Sequence, residues 1–96
     1  MKDQKITIFT TKGCKGCHIM KNIIKEKLTV VSKPIQLLTY DVEEINNNSF
    51  AKYIADKVGV TDFPTTVFTD GIIILKVKVG TFPKSELSEL IDKHFV

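Results

Sequence analysis

No stretch of the sequence approaches the roughly 18 apolar residues that a membrane-spanning helix requires, so a membrane partner is not expected. The opening residues, Met1-Lys2-Asp3-Gln4-Lys5, carry neither an apolar signal region nor a small-residue cleavage site, and the expected location is the cytoplasm. Charge of one sign is scarce as well. The 14 basic and 11 acidic residues are interleaved and leave a formal net charge of only +3, which describes a solvated surface better than a phosphate-binding face. A nucleic-acid partner is therefore not expected. No repeat, low-complexity tract or linker interrupts the 96 residues, so we expect a single domain over 1–96 with one core. Cysteine is nearly absent, with two in the chain, and histidine likewise, with two. A zinc site takes roughly four ligands, and His94 lies far from the other candidates in sequence, so no metal site is expected within one chain.

The two cysteines nevertheless stand together, in Cys14-Lys15-Gly16-Cys17. Before them Lys5-Ile6-Thr7-Ile8-Phe9-Thr10 reads as a strand, and after them Ile19 to Leu28 reads as an amphipathic helix. The first cysteine then falls at a helix N-terminus, where free N–H groups and the helix dipole favour an anion, and so favour the nucleophilic thiolate. The second, about one turn on, can reach back and close a disulfide. In a reducing compartment such a pair is catalytic or metal-binding sooner than a structural staple.

The rest of the chain supplies a frame. Ile6, Ile8 and Phe9 make the first strand apolar on both faces, as a central strand requires. Ile19, Met20, Ile23, Ile24 and Leu28 recur at helical spacing, and Thr29 to Pro34 reads as the connection that follows. A second strand is expected over Ile35 to Val42, a polar turn over Glu43 to Ser49, and a second helix from Phe50 to Val58 ending at Gly59. Thr65 to Thr69 and Ile72 to Val79 read as a hairpin turning at Asp70-Gly71. Lys76 and Lys78 suit an edge strand, and Leu87, Leu90, Ile91 and Phe95 mark a last helix over Pro83 to Phe95. The order is βαβαββα, an α/β chain whose first half calls for a parallel strand pair with a right-handed crossover.

At this point the chain resembles the thioredoxin superfamily. The resemblance rests on Cys14-Lys15-Gly16-Cys17 between the first strand and helix, on Phe63-Pro64-Thr65 before the hairpin, and on Val79-Gly80 followed by Lys84-Ser85-Glu86-Leu87. It spans nearly the whole chain. It implies a thioredoxin-like fold, with a four-stranded mixed sheet and helices on both faces. It implies a thiol–disulfide oxidoreductase in which Cys14 attacks and Cys17 resolves, with Pro64 in the cis form against the dithiol. Phe63, Pro64 and Thr65 would then dock an extended substrate through its main chain. Lys15 would lower the pKa of Cys14 further, and Gly16 would keep the approach open. By the same resemblance the protein would need no cofactor beyond the redox-active Cys14–Cys17 disulfide. It would act as a monomer on protein disulfides and be recycled by a flavoprotein of the thioredoxin-reductase type.

Departures from the family pattern bear on this reading. The Gly-Pro pair usual between the cysteines is Lys15-Gly16, the tryptophan usual before them is Gly13, and the buried acid usual six residues upstream is Ile8. Another group must then assist the proton of Cys17. His18 directly after Cys17 is similar to glutaredoxins, yet their glutathione-binding Gly-Gly-x-Asp-Asp segment is replaced by Val79-Gly80-Thr81-Phe82. The reading favoured is a reductant of protein disulfides. The alternatives are a glutathione-coupled glutaredoxin, or a binding module that is redox-silent or bridges a metal between subunits. His18 as helix surface and Asp62 and Lys12 as loop surface are the structural readings, and Cys14-x-x-Cys17-His18 also matches a c-type haem-attachment string, which would need export and a haem pocket with a second axial ligand.

Overall fold

Four strands and three α-helices follow the expected order in a computed structural model that describes residues 3–95: β1 (Gln4–Thr10), α1 (Lys15–Val30), β2 (Gln36–Asp41), α2 (Ser49–Val58), β3 (Thr65–Asp70), β4 (Ile73–Val79) and α3 (Lys84–His94). The strands form one sheet in the order β2-β1-β3-β4. β1 runs parallel to β2 and antiparallel to β3, and β3 and β4 make an antiparallel hairpin, so the sheet is mixed. β1 is interior and needs apolar side chains on both faces. It supplies Ile6 and Ile8 to one and Phe9 to the other, all fully buried. The register sets Ile6 across from Phe68 and Ile8 across from Thr66 on the first face. Thr7 lies across from Val67 and Phe9 across from Thr65 on the second.

Each face carries its own core. On the first, Met20 and Ile24 of α1 and Leu87, Leu90 and Ile91 of α3 pack with Ile6, Ile8, Phe68 and Phe95. On the second, Ala51, Ile54 and Ala55 of α2 pack with Phe9 and Val67. Each large apolar side chain buried in this way contributes about 1.5–3 kcal/mol. The layering follows from it, because a sheet apolar on both faces must be covered on both. β4 is an edge strand, as its lysines suggest. Lys76 is exposed, while Lys78 pairs with Glu86 and lies 5.5 Å over the Phe82 ring, tying the edge to α3.

The structure departs from the sequence reading in local ways. α1 continues past Leu28 to Val30, because Pro34 lies too far on to stop it and the Thr29 hydroxyl donates back to the Glu26 carbonyl at 2.6 Å. Ile19 is not a core residue. Cys17, Met20 and Ile24 hold the inward line of α1, which turns Ile19 outward at 50% exposure. The stretch read as a polar turn winds into a 3-10 helix, Val42–Asn47. Asp41 and Glu44 close a capping box at its start, accepting from the N–H groups of Val42 and Asp41 at 3.0 Å each. Asn48 then caps α2, its Oδ1 accepting from the Ala51 N–H at 3.0 Å. The hairpin turns on Gly71-Ile72 rather than Asp70-Gly71, since Asp70 still pairs with Ile73.

Candidate active site

β1 delivers the chain to the dithiol. After Thr10 the loop Thr11-Lys12-Gly13 reverses direction, and Gly13 takes φ +72°, a left-handed backbone that side chains rarely adopt. Cys14 follows in extended backbone, φ −92° and ψ 105°, as the N-cap of α1. Its Sγ accepts the N–H of Cys17 at 3.0 Å. Sulfur thus occupies the place that a Ser or Asp oxygen fills at an ordinary helix start. Cys14 and Cys17 are joined in a disulfide, with Cα atoms 5.3 Å apart. They are not equivalent, since Cys14 is half-buried and Cys17 is 3% exposed. Cys14 is the sulfur a partner can approach.

The electrostatics favour negative charge on that sulfur. It sits at the positive end of the helix dipole, and the first turn of α1 holds no acidic residue. Lys15 is exposed beside it and takes part in no ion pair among the described residues, so its charge is uncompensated. Lys12 faces Glu43 at 3.3 Å instead.

The segment before β3 meets the same helix start. The Phe63–Pro64 peptide bond is cis. The Pro64 carbonyl accepts the Gly80 N–H at 2.8 Å, and the Thr65 hydroxyl donates to the Asp62 carbonyl at 2.6 Å, which fixes the loop from both sides. Thr65 is 1% exposed, so it braces the loop from within while Phe63 remains half-exposed at the rim. Gly16 does not simply open the approach to the sulfurs. The space its side chain would fill lies 3.0 Å from Thr81 Cγ2 and 3.4 Å from Pro64 Cδ, so the missing Cβ lets α1 close onto the proline.

On the opposite side of Cys14 a cleft of about 830 Å³ opens between Lys15, His18 and Ile19 of α1 and Thr39 and Asp41 at the end of β2. His18 is exposed, on the outer side of the helix. Among the described residues no three His, Cys, Asp or Glu side chains converge where they could hold a metal ion.

Two features escaped the sequence reading. One is the contact of Gly16 with Pro64 and Thr81, which joins residues far apart in the chain and leaves no local signal. The other is Thr66, fully buried across from Ile8, whose hydroxyl has no hydrogen-bond partner. A second threonine directly after Thr65 was its only mark in the sequence.

The chain matches the thioredoxin-like domain family over residues 1–95. It is 34% identical to a thioredoxin of Staphylococcus epidermidis over 91 residues, which cover 94% of this chain and 81% of that protein. A Staphylococcus aureus thioredoxin is 34% identical over 87 residues, 90% of this chain and 77% of the relative. Among solved structures, thioredoxin-2 of the malaria parasite, described as a component of its protein secretion machinery, superposes with a TM-score of 0.78 at 22% identity, covering 97% of this chain and 84% of that one. A second malarial protein gives 0.76 at 23% identity, covering 98% and 99%. At those identities the structural neighbours speak to the fold alone.

Proposed function

Because the chain belongs to the thioredoxin-like domain family, we propose that it reduces protein disulfides with Cys14 as the attacking sulfur and Cys17 as the resolving one. The wider class, a thiol–disulfide oxidoreductase, follows from the family and from the bonded cysteine pair. The observation that carries the narrower reading is the inequality of the two sulfurs. Cys14 is accessible, caps α1 and accepts a backbone N–H, whereas Cys17 is buried behind it.

The chemistry runs in two exchanges. The Cys14 thiolate attacks one sulfur of the substrate disulfide, forming a mixed disulfide and expelling the other substrate sulfur as a thiolate. Cys17 gives up its proton and attacks the Cys14 sulfur. The Cys14–Cys17 bond forms, the mixed disulfide breaks and the second substrate sulfur leaves as a thiolate. The electron pair that reduces the substrate comes from the dithiol, and a flavoprotein of the thioredoxin-reductase type returns it. The Cys17 N–H and the helix dipole hold the Cys14 thiolate ready for the first exchange, with the charge of Lys15 adding to them. Phe63 and Pro64, braced by Thr65, offer backbone to an extended substrate strand. In this reading the protein works in the cytoplasm as a monomer, on protein partners, without a cofactor beyond its own disulfide.

The test is turnover of insulin disulfides with dithiothreitol as the reductant. Wild type turns over, Cys14→Ser is inactive, and Cys17→Ser accumulates a mixed disulfide visible by mass spectrometry. A wild type that leaves insulin intact would refute the reductase reading.

A further inference from the structure

Thr7, Thr66 and Thr69 are buried with hydroxyls that have no partner. Leaving a buried donor unmade is costly, so each such group asks for a reason. Two of the three lie on the α2 face of the sheet, since Thr7 is across from Val67, and Thr69 is across from Lys5, whose Nζ lies over the Phe50 ring of α2. Thr66 is the one on the face that carries the dithiol helix, across from Ile8.

Its position follows from the packing. Cys17, Met20 and Ile24 form the inward line of α1. Met20 and Ile24 pack with Ile6, Ile8 and Phe68. Cys17, one turn nearer the helix start, therefore stands over the next layer toward Pro64, which Gly16 already approaches. Two residues beyond Pro64, on the same side of the strand, is Thr66. On this face Ile6, Ile8, Met20 and Phe68 carry no charge, while Lys78 of β4, directly across from Thr66, brings an ammonium that is paired with Glu86 and lies 5.5 Å over the Phe82 ring. The titratable groups of the first helical turn outside the dithiol, Lys15 and His18, are exposed.

A resolving cysteine in such a place has a physical problem. To attack Cys14 it must become a thiolate, and an anion in an apolar layer is costly unless something donates to it. We infer that the Thr66 hydroxyl is the donor that receives the negative charge of Cys17 during resolution of the mixed disulfide. Its lack of a partner in the oxidised protein fits this role, because a disulfide sulfur is a poor acceptor and the thiolate a strong one. The inference rests on the assignment of Cys17 as the resolving sulfur.

The test uses an aromatic disulfide, dithionitrobenzoate, mixed rapidly with the reduced protein. The first phase is attack by Cys14, which releases one thionitrobenzoate and leaves the other bonded to Cys14. The second is attack by Cys17 on Cys14, which closes the protein disulfide and releases the other thionitrobenzoate. In Thr66→Val the first phase keeps its wild-type rate. The second slows about tenfold near neutral pH, equal to about 1.4 kcal/mol on the barrier, and its pH profile moves to higher pH. Thr66→Ser restores the rate. Thr69→Val removes an orphan hydroxyl on the other face and leaves both phases unchanged. A second phase in Thr66→Val as fast as wild type, or slowed equally in Thr69→Val, overturns the inference. A wild type that shows both phases yet leaves insulin intact would instead count against the protein-reductase reading alone.

Discussion

Replacing Gly16 by alanine sets two effects of similar size against each other. Within a helix, glycine to alanine gains up to about 1 kcal/mol from backbone entropy. Here the new Cβ lands 3.0 Å from Thr81 Cγ2 and 3.4 Å from Pro64 Cδ. Carbon atoms prefer roughly 3.5–4.0 Å, so the methyl of Thr81 is at least about half an ångström too near. Pro64 is buried between α1 and β3 and has little room to yield, while Thr81 is exposed and can turn away. Overpacking costs about 1–3 kcal/mol, and a yielding exposed partner puts this contact at the low end. Gly16→Ala alone should therefore leave the melting temperature nearly unchanged. Thr81→Ser deletes only the offending methyl. In that background Gly16→Ala should stabilise by about 1 kcal/mol, which raises Tm by roughly 4–8 °C in a domain of this size. The measurement is a thermal-unfolding double-mutant cycle on the oxidised protein. The coupling between positions 16 and 81 should be about 1 kcal/mol, within the range for side chains in contact. If alanine at 16 has the same effect in both backgrounds, the packing of α1 on the proline loop is not as described.

Two further predictions follow from single contacts. Lys15→Gln removes the uncompensated charge beside Cys14, and should slow the first phase of the dithionitrobenzoate reaction by a factor of about two to three at low ionic strength. The difference should fade as salt rises toward about 1 M, where screening is nearly complete, and a salt-independent loss would assign Lys15 another role. Asn48→Ala removes the oxygen that accepts the Ala51 N–H at the start of α2. It should cost about 1 kcal/mol by thermal unfolding, with insulin turnover per folded molecule unchanged.

Most of the architecture could be read from local pattern, because the physics that sets it is local. The double-faced apolar run Ile6-Thr7-Ile8-Phe9 demanded an interior strand, and the lysines of β4 an edge. The cysteine pair between a strand and a helix located the site for the same reason. The reading failed where tertiary packing or side-chain capping decides. Ile19 obeys helical spacing, yet Cys17 claims the inward line and leaves Ile19 outside. The 3-10 helix depends on a reciprocal pair, Asp41 with Glu44, that composition alone renders as a polar turn. The close approach at Gly16 and the orphaned hydroxyl of Thr66 exist only once helices and proline loop have packed onto the sheet.

The sulfur of Cys14 is both a reactant and a structural fastener of the longest helix, and this couples the redox cycle to folding. A thiolate accepts the Cys17 N–H more strongly than a disulfide sulfur does, so electrons loaded onto the pair also tighten the first turn of α1. The same dual role governs how mutants at this position are to be interpreted. Serine keeps an N-cap oxygen and deletes the chemistry. Alanine deletes both, at about 0.5–2 kcal/mol of helix stability. An inactive Cys14→Ser protein that still melts like wild type isolates the loss to the sulfur itself, whereas an inactive Cys14→Ala protein confounds a missing nucleophile with a frayed helix.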